Sequence, residues 1–162
     1  MKPIVRHALA LTFAALALMT ARAAQAQGPD SLITVHNEMR AAYGLPPLTW
    51  NQQLWQAAQA HARDMAANDL TGHIGSDGSN PEQRIRAAGF DGSTFAENVG
   101  YAWATDAQYL WTHRDMVNWW MNSPPHRANI LNPNFTQIGM GRVVVHTDTE
   151  VKSYWCVTFG GP

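Results

Sequence analysis

One cysteine in 162 residues leaves Cys156 without an intrachain partner, so neither a disulfide framework nor a CxxC metal site exists within one chain. Charge is sparse as well. Asp, Glu, Lys and Arg make up 14% of the residues, 11 basic against 12 acidic, which gives no electrostatic footprint for a polyanion; nucleic acid is not an expected partner. The 46% of hydrophobic residues exclude the polar, charge-rich balance of a disordered chain. HExxH, GxSxG, a Walker loop, GxGxxG and an Asp-rich calcium loop are all missing, so the common catalytic signatures are absent and no organic cofactor is expected. There is no internal repeat and no linker.

A hydrophobic run long enough to span a bilayer, about 20 residues, is lacking too. Ala8 to Met19 is apolar except for Thr12; Lys2 and Arg6 precede it, Arg22 follows, and Ala24-Gln25-Ala26 has the small-x-small form of a cleavage site. Residues 1–26 therefore read as a secretory signal and residues 27–162 as one domain. A lipoprotein would need a cysteine at the cleavage point. Removing Lys2, Arg6 and Arg22 from the 11 basic residues leaves eight against 12 acidic ones, a formal charge of −4. The expected product is secreted or periplasmic, has no integral membrane segment once the signal is removed, and has little attraction for anionic lipid.

Helical signals fill the first part of that domain. Leu32, Val35, His36, Met39 and Tyr43 share one helix face between Ser31 and Gly44, and a second helix starts after Asn51, carries Leu54, Ala58, Ala62 and Met65, and ends near Asn68. Thr71 to Ser79 contains three glycines and carries His73; it reads as a loop. Asn80-Pro81-Glu82-Gln83 reads as an N-cap, an N1 proline and a capping-box Gln, and Gly89 stops that helix. Phe95 to Ala102 is a short strand containing Glu97. Thr105 or Asp106 caps a fourth helix with Leu110, His113, Val117 and Trp120 as its stripe, and Ser123-Pro124 opens a further turn with His126. Alternation from Gln137 to Val145 and again from Val151 to Phe159, across a polar link, predicts a β-hairpin. Helices first and strands last, without βαβ alternation, predict an α+β domain with helices on an antiparallel sheet.

Three polar residues stand in apolar or small-residue company: His73 in Gly72-His73-Ile74-Gly75, Glu97 in Ala96-Glu97-Asn98-Val99, and His126 in Ser123-Pro124-Pro125-His126-Arg127. Imidazole and carboxylate are the groups that bind divalent transition metals or move protons near neutral pH. Spacings of 24 and 29 positions do not by themselves bring the three together. His36 and His113 share helix faces with core residues and read as packing; His61 and His146 have no distinguishing context. Glu38 reads as solvated or paired to Arg40 or a neighbour, Arg127 as paired to a carboxylate, and Cys156 as a small buried hydrophobe in a strand. Glu82 suits the helix dipole at N2 and is a reserve second carboxylate.

His36-Asn37-Glu38-Met39-Arg40, Gly44-Leu45-Pro46-Pro47-Leu48-Thr49-Trp50, Gly72-His73, Ala96-Glu97-Asn98, Trp120 to Leu131 and Ile138-Gly139-Met140-Gly141 together resemble the CAP superfamily. That group holds cysteine-rich secretory proteins, antigen 5, plant pathogenesis-related proteins and bacterial SCP-like domains. The resemblance covers residues 32–160. It implies an α-β-α sandwich with a small antiparallel sheet between helical layers and a large cleft on one face. It further implies a cleft tetrad of two His and two acidic residues, with His73, Glu97 and His126 at matching positions and Asn122 where many members have Glu. Losing that carboxylate removes a potential general base and a metal ligand, although two His and one Glu still suffice for a zinc site with an open position.

Three functions follow from this resemblance. The first is a secreted binding module whose cleft, lined by His73, Glu97, Asn122 and His126, takes zinc or another divalent cation through His73 and His126, or a small apolar molecule or peptide. The second is a metal-assisted hydrolase in which Glu97 activates water. The third is an envelope interaction module whose cleft residues only hold loops together.

Overall fold

The computed structural model describes residues 31–162; the expected signal segment, residues 1–26, lies outside the described residues. Helix α1 (Leu32–Ala42) starts where the Ser31 hydroxyl accepts from the Thr34 amide, and Gly44, at φ +69°, turns the chain after it. Strand β1 (Thr49–Trp50) leads into α2 (Gln52–Asn68), capped by Asn51 on the Leu54 amide. Helix α3 (Pro81–Ala87) opens with the expected capping box of Asn80 and Gln83 and with Pro81 in its first turn. Strand β2 (Thr94–Ala104), helices α4 (His113–Met121) and α5 (Pro124–Ile130), and the hairpin of β3 (Gln137–His146) and β4 (Val151–Gly161) complete the order.

Three expectations change. Strand β2 has 11 residues, longer than Phe95 to Ala102, because it pairs with β4 along its whole length, from Thr94 opposite Gly161 to Ala104 opposite Val151. Asp106 caps only a 3-10 turn over Ala107–Tyr109, and Leu110 is extended. Helix α4 begins instead at the reciprocal capping box of Thr112 and Asp115, which satisfies two amide donors where Asp106 satisfies one. Strand β1, too short to show alternation, pairs in parallel with β3, so a sheet otherwise antiparallel, in the order β1-β3-β4-β2, carries one parallel edge.

Side-chain alternation along β4 builds the sandwich. Trp155, Val157 and Phe159 enter a core with Leu32 and Val35 of α1, Met116, Val117 and Trp120 of α4, and Ile130 of α5. Tyr154 and Cys156 point the other way, into a cluster with Ala58, Ala62 and Met65 of α2. Both faces of the sheet are covered, which gives the α-β-α layering and explains why β4 reads as nearly continuous burial. Each large apolar side chain buried there contributes roughly 2 kcal/mol of transfer free energy before its entropy cost. Gly141 lets α2 lie directly on β3: a Cβ there would come within 2.5 Å of Gln59 Cα and 2.6 Å of Ala58 O.

Arg40, fully buried, donates to the carbonyls of Pro46, Ile130, Asn132 and Phe135 at 2.9 to 3.1 Å. The guanidinium satisfies loop backbone that would otherwise be buried unpaired, and it ties α1 to the segment between α5 and β3. Glu38, expected to be solvated or paired to Arg40 or a neighbour, is exposed and pairs with Arg114 of α4 at 2.8 Å rather than with Arg40. His36 is a core histidine as expected: Nδ1–H donates to Leu32 O at 2.7 Å and the ring lies against Trp120 and Phe159. His113 packs edge-on against Trp155.

Candidate ligand-binding cleft

Strand β2 is an edge of the sheet, and its alternation sends neighbouring residues to opposite layers. Glu97 faces the α2 side and is buried. Its Oε1 accepts from His73 Nδ1–H at 2.9 Å, and the Arg84 guanidinium reaches both oxygens, at 3.1 and 2.9 Å. The Cys156 thiol donates to Oε2 at 3.3 Å, and His61 Nε2 lies 4.0 Å from Oε1. Burial alone would push this carboxyl up; the His73 hydrogen bond and the Arg84 charge outweigh it and hold the group below the usual carboxylate range. Burial, followed by the charge and hydrogen bond of Glu97, pushes the Cys156 thiol well up.

His73 rides on the loop between α2 and α3 with its side chain 47% exposed. Donation from Nδ1 to a carboxylate fixes the tautomer and leaves Nε2 as the ring's bare nitrogen. The backbone beside it is held from two helices: His61 Nε2–H donates to Gly72 O at 2.9 Å, and Arg84 donates to His73 O at 2.8 Å. His61 Nδ1 is buried and has no hydrogen-bond partner among the described residues; burial lowers the pKa of this histidine against the opposing pull of Glu97.

Asn98 faces the other layer. Its amide donates to His126 O at 3.1 Å and accepts from Asn129 at 2.8 Å, while Asn129 also reaches Glu97 O at 3.3 Å. His126 Nδ1 lies 2.8 Å from Ser123 Oγ, and its ring centroid is 5.4 Å from that of Trp119. Burial lowers its pKa, and so does the charge of His73, since the two imidazoles lie close enough to repel. Two opposite layers thus each contribute one histidine at the free edge of β2.

His73, Glu97 and His126, separate in sequence, therefore meet at this edge, and Asn98 holds backbone beside them. Asn122 ends α4, is exposed, and donates to Asn118 O of its own helix at 3.0 Å. Glu82 is exposed in the first turn of α3. Arg127 does not take the carboxylate partner expected of it: it donates to the Tyr43 hydroxyl at 2.8 Å and lies over that ring. Sequence reasoning missed Arg84 and gave His61 no role. The signal available for Arg84 was indirect: a Glu among apolar strand neighbours needs a cation, and Arg84 follows the His73 loop. Among the described residues, no group of three or more His, Cys, Asp or Glu side chains is arranged to hold a metal ion.

An α+β sandwich with a polar cluster at the edge of its sheet is the class that this geometry defines. The family described as "CAP: Cysteine-rich secretory protein family" matches residues 33–159, and the chain belongs to it. It is 33% identical over 130 residues to the protein YkwD of Bacillus subtilis (strain 168), covering 80% of this chain and 46% of that protein; it spans less than half the length of that relative. Among solved structures, an outer surface protein from Borrelia burgdorferi matches with a TM-score of 0.67 at 25% identity, covering 80% of this chain and 89% of the other. An extracellular protein containing a SCP domain from Bacillus anthracis matches with a TM-score of 0.64 at 24% identity, over 81% of this chain and 39% of that one, and shows the shared fold.

Proposed function

We propose that the chain is an exported CAP-domain binding module whose cleft presents His73 and His126 to a ligand. One observation carries this reading: a half-exposed imidazole whose Nδ1–H is committed to a buried carboxylate. A histidine oriented in this way by a carboxylate behind it has its other nitrogen fixed for binding. Export is supported by the outer-surface and extracellular descriptions of the structural neighbours and by the signal-like composition of residues 1–26; no described helix is long and apolar enough to cross a membrane.

A divalent cation fits the cleft only in a limited way. Glu97 is spent on Arg84, His73 and Cys156, so His73 and His126 are the two side chains that would hold zinc, with water or ligand completing the shell. Such a site is open and exchangeable, and zinc there would act as a Lewis acid or a bridge to a ligand donor. Trp119, 43% exposed beside His126, offers an aromatic wall to a small apolar molecule or to a peptide side chain. The hydrolase reading is weaker because Glu97, held ionised by its hydrogen bond from His73 and by Arg84, is a poor proton acceptor at neutral pH.

Calorimetric titration of chelator-stripped protein with zinc tests the proposal. Binding in the wild type that is lost in both His73→Ala and His126→Ala is expected. Equal heats in wild type and variants, or none in any of them, would overturn the metal part and direct the search to apolar ligands.

A further inference from the structure

The residue that fixes His73 is not in its loop. Arg84, on the first full turn of α3, has a side chain only 11% exposed and spreads its guanidinium over three parts of the chain. Nη1 donates to Ser79 O at 2.7 Å, at the far end of the loop; Nη2 donates to His73 O at 2.8 Å and meets both Glu97 oxygens. The loop backbone, the carboxylate that orients the imidazole, and the helix that follows are thereby joined by one planar fork. A point charge on a flexible stem cannot reproduce that geometry. The opposite anchor, His61 on Gly72 O, holds only the residue before the histidine.

We infer that Arg84 is the positioning residue of the cleft: through the His73 carbonyl and Glu97 it sets the tautomer and orientation of the His73 ring, without itself contacting the ligand. This rests on the reading above, in which the cleft works through His73. A merely structural Arg84 would neutralise a buried carboxylate and leave the imidazole as it is whenever the chain stays folded.

The primary readout needs no metal. Long-range 1H–15N correlations of the histidine rings, recorded on 15N-labelled wild type and Arg84→Lys at a pH where imidazole is neutral, report the tautomer of His73 directly. Wild type is expected to show the single Nδ1–H form. Arg84→Lys, with wild-type amide dispersion, is expected to show a mixture with the Nε2–H form and a zinc affinity lower by tenfold or more, the usual effect of removing such outer support. Should Arg84→Lys fail to fold, Glu97→Gln and the double variant Arg84→Met/Glu97→Gln are compared, so that the change of acceptor is common to both; a larger Nε2–H fraction in the double variant is expected, and equal fractions overturn the inference. An unmixed Nδ1–H tautomer in folded Arg84→Lys overturns it as well. Failure of wild type to bind zinc overturns the metal reading alone, and the tautomer still decides the role of Arg84.

Discussion

Acidifying the protein from about pH 7.5 to about pH 4 tests the histidines whose pKa values burial lowers, His36 together with His61 and His126; His36 lies fully buried in the core. The ring is fully buried against Trp120 and Phe159, Nδ1–H is spent on Leu32 O, and Nε2 has no hydrogen-bond partner among the described residues. A proton on Nε2 would place an unpaired charge in the core. Burial accordingly lowers the pKa from 6.5 to about 4, against the raising effect of the Leu32 hydrogen bond and with a further lowering by Arg40. Between those values the unfolded chain takes up a proton that the folded chain refuses, so stability is full above pH 6.5 and falls as the pH drops towards 4. At about 1.4 kcal/mol per pH unit the loss comes to about 3 kcal/mol, a large part of the margin of an ordinary domain. Glu97, whose pKa is lowered from 4.5, adds its own loss only at lower pH. Urea denaturation of wild type and His36→Phe, which keeps an aromatic ring in the core and cannot titrate, isolates the effect. Wild type should lose about 3 kcal/mol more than the variant over this range. Parallel stability curves for the two proteins would refute the argument.

Further consequences are open to measurement. Gly141→Ala should cost about 1 to 3 kcal/mol, measured by denaturant midpoint, because the added methyl meets α2 backbone that cannot move aside. Arg40→Met should destabilise by at least about 3 kcal/mol, since four carbonyls lose a donor, those of Ile130 and Phe135 in buried hydrogen bonds; a loss under about 1 kcal/mol would show that water replaces the guanidinium. Glu97→Gln should cost about 3 to 5 kcal/mol by leaving Arg84 with an uncompensated charge, and the double variant with Arg84→Met should recover part of it in a double-mutant cycle. Cys156, buried and with its thiol pKa raised, should resist thiol reagents at mildly alkaline pH in the folded protein and react on unfolding; rapid labelling of the native chain would contradict its placement.

The elements and most caps are legible because they depend on neighbours in sequence: Ser31, Asn51 and the Asn80/Gln83 box each act within four residues. The start of α4 is harder to read because two cap signals, Asp106 and Thr112, lie six residues apart and only the second is reciprocal. Strand β1 leaves no pattern because two residues carry no period. In the cleft, resemblance points to the three motif residues but not to their supports. Arg84 and His61 act on Glu97 from separate helices, 13 and 36 positions away in sequence, and only the packing of α2 and α3 against the sheet joins them. For Arg127, an aromatic hydroxyl and ring face serve the cation where a carboxylate is the simpler expectation.

The strand order β1-β3-β4-β2 places the last two strands of the chain at the centre of its sheet. A nascent chain that has not yet extended past residue 136 lacks β3 and β4: β1 and β2 have no partners and α2 has no floor until that point is passed. Native pairing must therefore wait for nearly complete synthesis, and closing contacts of such long sequence separation makes folding slow as well as late. Were the chain exported, as the proposed function requires, and carried across unfolded, that delay would keep the domain threadable until its final hairpin arrives.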